Sequence, residues 1–191
     1  MSDFDMKFEA LSPFSDVLII SPRVFWDSRG FLLESFNLRA MSLAGIDATF
    51  VQDNHSHSNK GVLRGIHFQH PPHAQARLVR VARGRVFDVA VDLRKGSPTF
   101  GLWAGCELSD RDHQQLYIPA GFGHGFLVLE DQTDFLYKTS DFYKPCSEGA
   151  VAWNDPDLAI DWPFAEHGIA APLLSNKDQQ APLLKDAALP S

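Results

Sequence analysis

The chain has few of the features of a disulfide scaffold, a membrane anchor or a nucleic-acid binder. Of its 191 residues only Cys106 and Cys146 are cysteines, without C-x-x-C spacing, so we expect free thiols. No run of about 18 apolar residues occurs, and a transmembrane helix is not expected. The net charge of −7 disfavours nucleic acid and anionic membranes as partners. An anionic ligand would therefore need a local cluster of basic side chains.

Other common signals are also missing. There is no Gly-rich dinucleotide loop, internal repeat or low-complexity tract. The first residues lack a basic region followed by an apolar one, so we expect no signal peptide and a cytoplasmic protein. The hydrophobic content of 45% is ordinary, and 15 Phe and 4 Trp favour a core or an interface built from aromatic rings. This length suits one domain.

Short alternating segments predict an all-β sandwich or barrel. Residues 1–15 are polar, and we expect a loose lead-in there. One short helix is predicted over 37–44, with Asn37 as its N-cap. The tail from Pro163 onward is expected to wrap the barrel. Strands are predicted at 17–20, 31–36, 50–55, 76–81, 86–93, 100–108, 115–118, 125–129 and 133–139.

The most informative segment runs from Gly61 to Gln69 and contains Arg64 and His67, three residues apart. Histidine takes and returns a proton near neutral pH, and arginine binds phosphate in a two-pronged geometry. The glycines of the segment allow a close approach of backbone or ligand. The segment suggests proton chemistry beside an anion clamp, and a purely structural role is the alternative.

Two sets of side chains are candidates for chemistry. A base and an acid on opposite faces of a substrate can invert a carbon next to a carbonyl, and His67, Tyr137 and Asp178 are suitable groups. A carboxylate behind the histidine would orient its ring. Spacing alone does not bring the three together, so an ordinary strand tyrosine and a solvated tail carboxylate remain alternatives. A second, basic set suits a diphosphate and comprises Arg29, Arg64, Arg77 and Lys177.

A metal site is the third possibility. A Pro-Gly turn in 117–126 is expected to place His124 at the head of an apolar strand, where it and His67 are potential ligands. However, a second ligand on the same face of the strand would have to be two residues after His67, and that residue is Gln69. His55 and His57 have that spacing, but we interpret their polar segment as a solvated loop. We therefore favour a site without metal.

Seven motifs stand in a specific order along the chain. They are Asp27-Ser28-Arg29-Gly30 with Glu34, Gln52-Asp53-Asn54, Gly61 to Gln69, Val86 to Asp92, Pro119 to Phe126, Leu136-Tyr137-Lys138 and Ser175-Asn176-Lys177-Asp178. With this set the chain resembles the dTDP-4-dehydrorhamnose 3,5-epimerase family over about residues 16–184. The resemblance implies a double-stranded β-helix, the cupin jelly roll. We expect a single domain over 1–191, with a core at about 16–165 and the segment 166–191 packing over it.

The resemblance also implies an activity and roles for residues. The family epimerises C3 and C5 of dTDP-4-dehydro-6-deoxy-D-glucose, giving dTDP-4-dehydro-L-rhamnose. His67 is implied as the general base paired with Asp178, Tyr137 as the general acid, and Tyr143 as the group that stacks on thymine. A homodimer that shares part of the nucleotide site, and no metal or organic cofactor, are implied too. The implied substrate contacts are Arg29, Glu34, Gln52, Asn54, Arg64, His124, Glu148 and Lys177.

One position departs from the family pattern, because Arg77 stands where a lysine near the sugar is usual. Arginine keeps the charge but is bulkier and planar, so the substrate range or the balance of the two epimerisations is open. A C3-only or C5-only epimerase of a related sugar is the closest alternative. A metal-dependent cupin oxygenase would need several converging ligands. A non-catalytic binding module would dispense with His67, Tyr137 or Asp178.

Overall fold

The computed structural model describes residues 5–190, and its regular structure is almost entirely antiparallel β-sheet. Two short α-helices occur in this range, α1 (Leu38–Leu43) and α2 (Asn176–Gln179), with one 3-10 turn at Pro145–Ser147. The strands are β1 (Met6–Ala10), β2 (Leu18–Pro22), β3 (Val24–Asp27), β4 (Gly30–Leu33), β5 (Gln52–Ser58), β6 (Leu63–Gln69), β7 (Arg77–Arg83), β8 (Arg85–Asp92), β9 (Trp103–Ser109), β10 (Gln115–Ile118), β11 (Phe122–Val128), β12 (Thr133–Thr139) and β13 (Glu148–Ala150).

The strands form two main sheets and one separate hairpin. The six-stranded sheet has the order β1-β2-β10-β7-β12-β5, and the five-stranded sheet has the order β13-β6-β11-β8-β9. Strands β3 and β4 pair only with each other. Inward side chains of both sheets, such as Val79, Val128 and Phe135, form one buried cluster. This is the predicted cupin-like jelly roll, with its core between the sheets.

Two further clusters cover the outer faces of the sheets. On the six-stranded sheet, Met41 of α1 packs against Ile20 and Leu78. On the five-stranded sheet, Leu127 and neighbouring apolar residues pack against Leu184 and other tail residues. Both faces of each sheet are therefore partly buried, which explains why several strands are apolar on both faces.

The C-terminal segment lies against the five-stranded sheet through backbone hydrogen bonds. Leu173 pairs with Val62, and its carbonyl accepts from Leu63 N at 3.1 Å. Farther along, Leu184 N donates to the buried carboxylate of Asp155 at 2.7 Å. These contacts fix the position of α2, which lies between them and next to β6.

The sequence predicts the elements unevenly. The bounds of β10 and β12 are confirmed, as is the helix, where Asn37 Oδ1 accepts from Ala40 N at 3.1 Å. The lead-in prediction is wrong, because Met6–Ala10 is a strand of the six-stranded sheet; residues 1–4 lie outside the described range. The loop interpretation of His55 and His57 is also wrong, because both lie on β5.

Gly65 shows why the motif of β6 contains glycine. A methyl group added at this position would lie 2.5 Å from Gly125 Cα on the neighbouring strand β11. Its φ of +130° is also unfavourable for other residues. The close approach predicted for the motif is thus an approach of two strands. In the part of the chain described, no helix is long and apolar enough to cross a bilayer.

Candidate active site

A cavity with a volume of about 250 Å³ opens between the two sheets. Strands of both sheets line it, together with the segment after β12 and the start of α2. Alternation along β5 turns its even-numbered residues towards the cavity, while the odd-numbered ones face solvent. The predicted site residues in its wall are His67, Tyr137, Asp178, Gln52, Asn54, Arg64, Arg77, His124, Tyr143 and Glu148.

His67 and Asp178 form a short hydrogen-bonded pair. The His67 Nε2 to Asp178 Oδ1 distance is 2.6 Å, although the residues are 111 positions apart. Asp178 is buried, and it also accepts from Ser175 Oγ at 2.6 Å and from Gly65 N at 3.3 Å. Burial opposes ionisation, but the hydrogen bonds from His67 and Ser175 outweigh it and lower the pKa of Asp178 to about 2. The pair therefore contains a fixed carboxylate.

Helix α2 explains how the tail positions this carboxylate. Ser175 is the N-cap of the helix, and its side chain accepts from Asp178 N. Asp178 therefore lies in the first helical turn, directed at β6. Lys177, one residue earlier, forms an ion pair with Glu148 of β13 at the edge of the cavity. The two neighbouring residues thus make separate contacts with the five-stranded sheet.

Tyr137 and Arg77 reach the cavity from the six-stranded sheet, opposite the sheet that carries His67. Tyr137 is central in β12, paired with Asn54 of β5 and Val79 of β7. Arg77 begins β7, and among residues 5–190 no carboxylate lies within 4.0 Å of its guanidinium. Burial lowers the pKa of Arg77 from its ordinary value, but an arginine remains cationic in proteins.

A second His–Asp pair lies deeper in the barrel. His124 Nε2 is 3.0 Å from both carboxylate oxygens of Asp88, and both side chains are buried. Burial is the largest influence on each: it raises the pKa of Asp88 and lowers the pKa of His124. His124 is the third residue of β11, so the prediction that it stands at the head of the strand is wrong.

The outer part of the cavity is polar and contains one exposed ring. Tyr143 is 51% exposed, and its hydroxyl donates to Glu148 Oε2 at 3.1 Å. Its backbone N donates to Gln52 Oε1 at 3.0 Å, and Gln52 Nε2 in turn donates to Asn54 Oδ1 at 3.0 Å. Arg64 donates to Ser58 Oγ at 3.2 Å. The exposed ring of Tyr143 at the opening suits stacking on a nucleobase. The polar groups and the Arg64 cation behind it suit an anionic group.

Arg29 and Glu34 are not in the wall of this cavity. Arg29 lies at the β3–β4 turn, where its guanidinium bonds to Asp27 at 2.5–3.2 Å. Glu34 follows β4 and accepts from Asn37 Nδ2 at 2.9 Å. The fold of the single chain therefore separates these two predicted substrate contacts from the other predicted contacts.

Some residues in or behind the cavity wall were missed from the sequence. Asp88 had a readable signal, since it is a charged residue with the same alternation as the core residues Val86 and Ala90 of β8. Ser175 also had one, because Ser-x-x-Asp is a helix-capping pattern. Gln75 and Thr139 line the cavity without a distinctive pattern.

Two of the other histidines share one carboxylate, and both cysteines are free. His55 Nε2 and His57 Nδ1 both contact Asp134 Oδ1, at 3.0 and 2.8 Å, on the solvent side of β5. Within residues 5–190 no group of three or more His, Cys, Asp and Glu side chains is arranged to hold a metal ion. Cys106 and Cys146 are both free thiols.

A jelly roll whose cavity brings a His–Asp pair into one wall and a tyrosine and an arginine into the other defines a cupin-type protein equipped for acid–base chemistry. The family model of dTDP-4-dehydrorhamnose 3,5-epimerase matches residues 12–186, and the chain belongs to that family.

Relatives and solved structures agree with this assignment. The chain is 56% identical over 173 residues to the dTDP-4-dehydrorhamnose 3,5-epimerase of Pseudomonas aeruginosa (90% of this chain, 93% of the relative). It is 54% identical over 175 residues to that of Salmonella typhimurium (91% and 93%). The dTDP-6-deoxy-D-glucose-3,5-epimerase of Legionella pneumophila, solved with dTDP-4-keto-L-rhamnose, superposes with a TM-score of 0.90 at 47% identity, covering 97% of each chain.

A more distant structure has a different specificity. The 3'-monoepimerase of Streptomyces bikiniensis, in complex with dTDP-quinovose, superposes with a TM-score of 0.85 at 36% identity. The aligned parts are 93% of this chain and 88% of that one. The fold alone therefore does not determine how many carbons are inverted.

Proposed function

We propose that this chain epimerises C3 and C5 of dTDP-4-dehydro-6-deoxy-D-glucose to give dTDP-4-dehydro-L-rhamnose. The observation that carries the proposal is the placement of His67 with Asp178 in one wall of the cavity and Tyr137 in the other. A base and an acid on opposite walls are what inversion of a carbon requires. Family membership supplies the substrate class.

His67 is the general base. The C4 ketone makes the protons on C3 and C5 removable, because the resulting carbanion is an enolate. His67 Nε2 is bound to Asp178, and Nδ1 makes no hydrogen bond within residues 5–190. The carboxylate holds the ring in one tautomer and stabilises the imidazolium that forms when the ring takes the proton.

Arg77 and Tyr137 complete the reaction from the opposite sheet. Arg77 stabilises the negative charge that develops on the C4 oxygen, and its donors are available because no carboxylate of residues 5–190 lies within 4.0 Å of them. Tyr137 then gives a proton to the face of the carbon opposite His67, which inverts the centre. The reaction transfers protons only, so its balance needs no oxidant and no organic cofactor.

The nucleotide occupies the outer part of the cavity in this proposal. Tyr143 stacks on the thymine ring, since its exposed side chain offers a free ring face at the opening. Arg64 binds a diphosphate oxygen, and Lys177 does the same after release from Glu148. His124 and the amides of Gln52 and Asn54 contact the remaining polar groups. Holding the remote nucleotide in this way orients the reacting sugar.

Arg29 and Glu34 are assigned to the nucleotide site of a second protomer. The hairpin β3–β4 that ends near them exposes Phe25, Trp26, Phe31 and Leu32, and Trp26 is 67% exposed. A cluster of exposed apolar side chains is typical of an interface. A homodimer in which the hairpin of each protomer covers the partner's cavity would bury these rings and bring both polar residues to substrate.

Two further proposals concern the domain organisation and the cellular location of the protein. The chain acts as one domain, supported by the docking of its tail on the five-stranded sheet, and the tail provides Asp178. Free thiols at Cys106 and Cys146 support a reducing, cytoplasmic location.

Conversion of the 4-keto sugar nucleotide by the purified protein tests the function. The expected product is dTDP-4-dehydro-L-rhamnose, identified by NMR, with activity unchanged after exhaustive chelation. Inversion at C3 alone would favour the single-carbon alternative seen in the monoepimerase. Loss of activity on chelation, with recovery on adding one divalent ion, would contradict the metal-free mechanism.

A further inference from the structure

The carboxylate of Asp88 has a place in the site that the mechanism above does not use. It is fully buried on β8 and makes two equal contacts of 3.0 Å with His124 Nε2. If Asp88 were protonated, only the oxygen that carries the proton would donate to the ring nitrogen, and the two contacts would not be equivalent. Equal contacts from both oxygens instead fit an ionised carboxylate that accepts a shared N–H from the ring. This geometry assigns the proton of neutral His124 to Nε2.

Burial raises the pKa of Asp88 and opposes its ionisation, whereas the charges of His124 and Arg77 lower that pKa and favour the carboxylate. Burial lowers the pKa of His124, as do Arg77 and His67, which favours a neutral ring although Asp88 acts in the opposite direction. With His124 neutral, the charges of the Asp88 carboxylate and the Arg77 guanidinium cancel. A charged His124, or a protonated Asp88, would leave a net positive charge in a poorly solvated place.

We propose that Asp88 is a positioning residue: it fixes the orientation and the tautomer of His124 in the wall of the cavity. The inference rests on the proposed function. Asp88 does not line the cavity, whereas His124 does, so its action passes through His124. Without the carboxylate, neither the orientation nor the tautomer of His124 is fixed, and the polar contact that the ring makes with the substrate is weakened.

Asp88→Asn tests the proposal because it keeps the shape and removes the charge. We expect kcat to fall about 10- to 100-fold, less than the 10²–10³ of losing a donor to the oxyanion itself. A structural role alone would lower the folded fraction and leave kcat per folded molecule and KM unchanged.

Asp92→Asn is the matched control. Asp92 is also fully buried on β8, but its partners are Arg94, Ser97 and Thr99, away from the cavity. We expect this variant to lose stability and to keep kcat and KM per folded molecule. An equal fall of kcat in both variants would contradict a specific role for Asp88.

A measurement on the unaltered protein does not depend on whether either variant folds. In protein labelled with ¹⁵N-histidine, His124 should show the neutral Nε2–H tautomer throughout the pH range of activity. An Nδ1–H tautomer, or titration within that range, would overturn the proposal. Because this spectrum needs no substrate, it stands apart from the proposed function, which fails if the unaltered protein inverts neither carbon.

Discussion

Replacing Asp178 by asparagine is the most informative perturbation of the His67–Asp178 pair. The two side chains are nearly the same size, and Asp178 is buried, so packing around α2 should change little. The substitution removes the negative charge that lies 2.6 Å from His67 Nε2. It also replaces an obligatory acceptor by an amide that can donate, so the ring is no longer restricted to one tautomer.

The size of the effect can be estimated from the pKa of Asp178. Hydrogen bonds lower it from 3.8 to about 2, which corresponds to about 2 kcal/mol in favour of the carboxylate. Hydrogen bonds from Ser175 and Gly65 supply part of this stabilisation of the carboxylate before the reaction. The attraction between the carboxylate and His67 increases when the ring takes a proton. A loss of about 2 kcal/mol lowers the rate about 30-fold. Because the ring is also no longer held in one tautomer, the rate can fall further. The same Asp-to-Asn change in a serine-protease triad lowers kcat roughly 10⁴-fold.

Proton exchange measures this fall directly. The 4-keto substrate is incubated in deuterium oxide, and loss of the C3 and C5 proton signals is followed by NMR. We expect exchange at both carbons to slow by about 30- to 10⁴-fold in Asp178→Asn. Asp186→Asn, an exposed change in the same tail, serves as the control and should exchange normally. Exchange within threefold of the unaltered protein in Asp178→Asn would refute the assignment of the pair.

Four further outcomes are expected. Tyr137→Phe should exchange protons faster than it inverts carbon, because the base is intact and only the opposite donor is lost; equal losses in both assays would make Tyr137 a binding residue. Arg77→Lys should keep exchange within about tenfold, whereas Arg77→Met should lose about 10²–10³-fold, as measured by the same NMR assay. The lowered pKa of Asp178 stabilises the fold above pH about 4 and ceases to do so as pH falls towards about 2, so the stability deficit of Asp178→Asn, from urea unfolding, should narrow over that interval. Trp26→Ser should weaken dimerisation in sedimentation experiments, and an unchanged dimer would reject the hairpin as the interface.

Local patterns predict part of the fold well. The bounds of β12 are confirmed, and along it the buried Thr133, Phe135 and Thr139 alternate with half-buried side chains. At β5 only the first part of the strand was predicted, as 50–55, because the inward face is polar where it lines the cavity, so His55 and His57 looked like a loop. Alternation was overlooked at β1, a five-residue edge strand in which Met6, Phe8 and Ala10 alternate with two charged residues.

The site depends on contacts that local patterns do not contain. Asp178 and His67 are 111 positions apart, and only the docking of the tail brings them together. Family resemblance supplied that pairing in advance. The sequence shows Asp88 only as a charged residue on the core-facing side of a strand. Its partner, His124, is identified only by the structure.

The central claim is that His67 removes protons from both C3 and C5. The most direct measurement is position-resolved deuterium incorporation into the 4-keto sugar, comparing the unaltered protein with His67→Asn and with His57→Asn as a solvent-facing control. We predict incorporation at both carbons in the unaltered protein and the control, and a loss of about 10²–10⁴-fold at both carbons in His67→Asn. Incorporation that persists at either carbon in His67→Asn would contradict the account, because a second base would then serve that carbon.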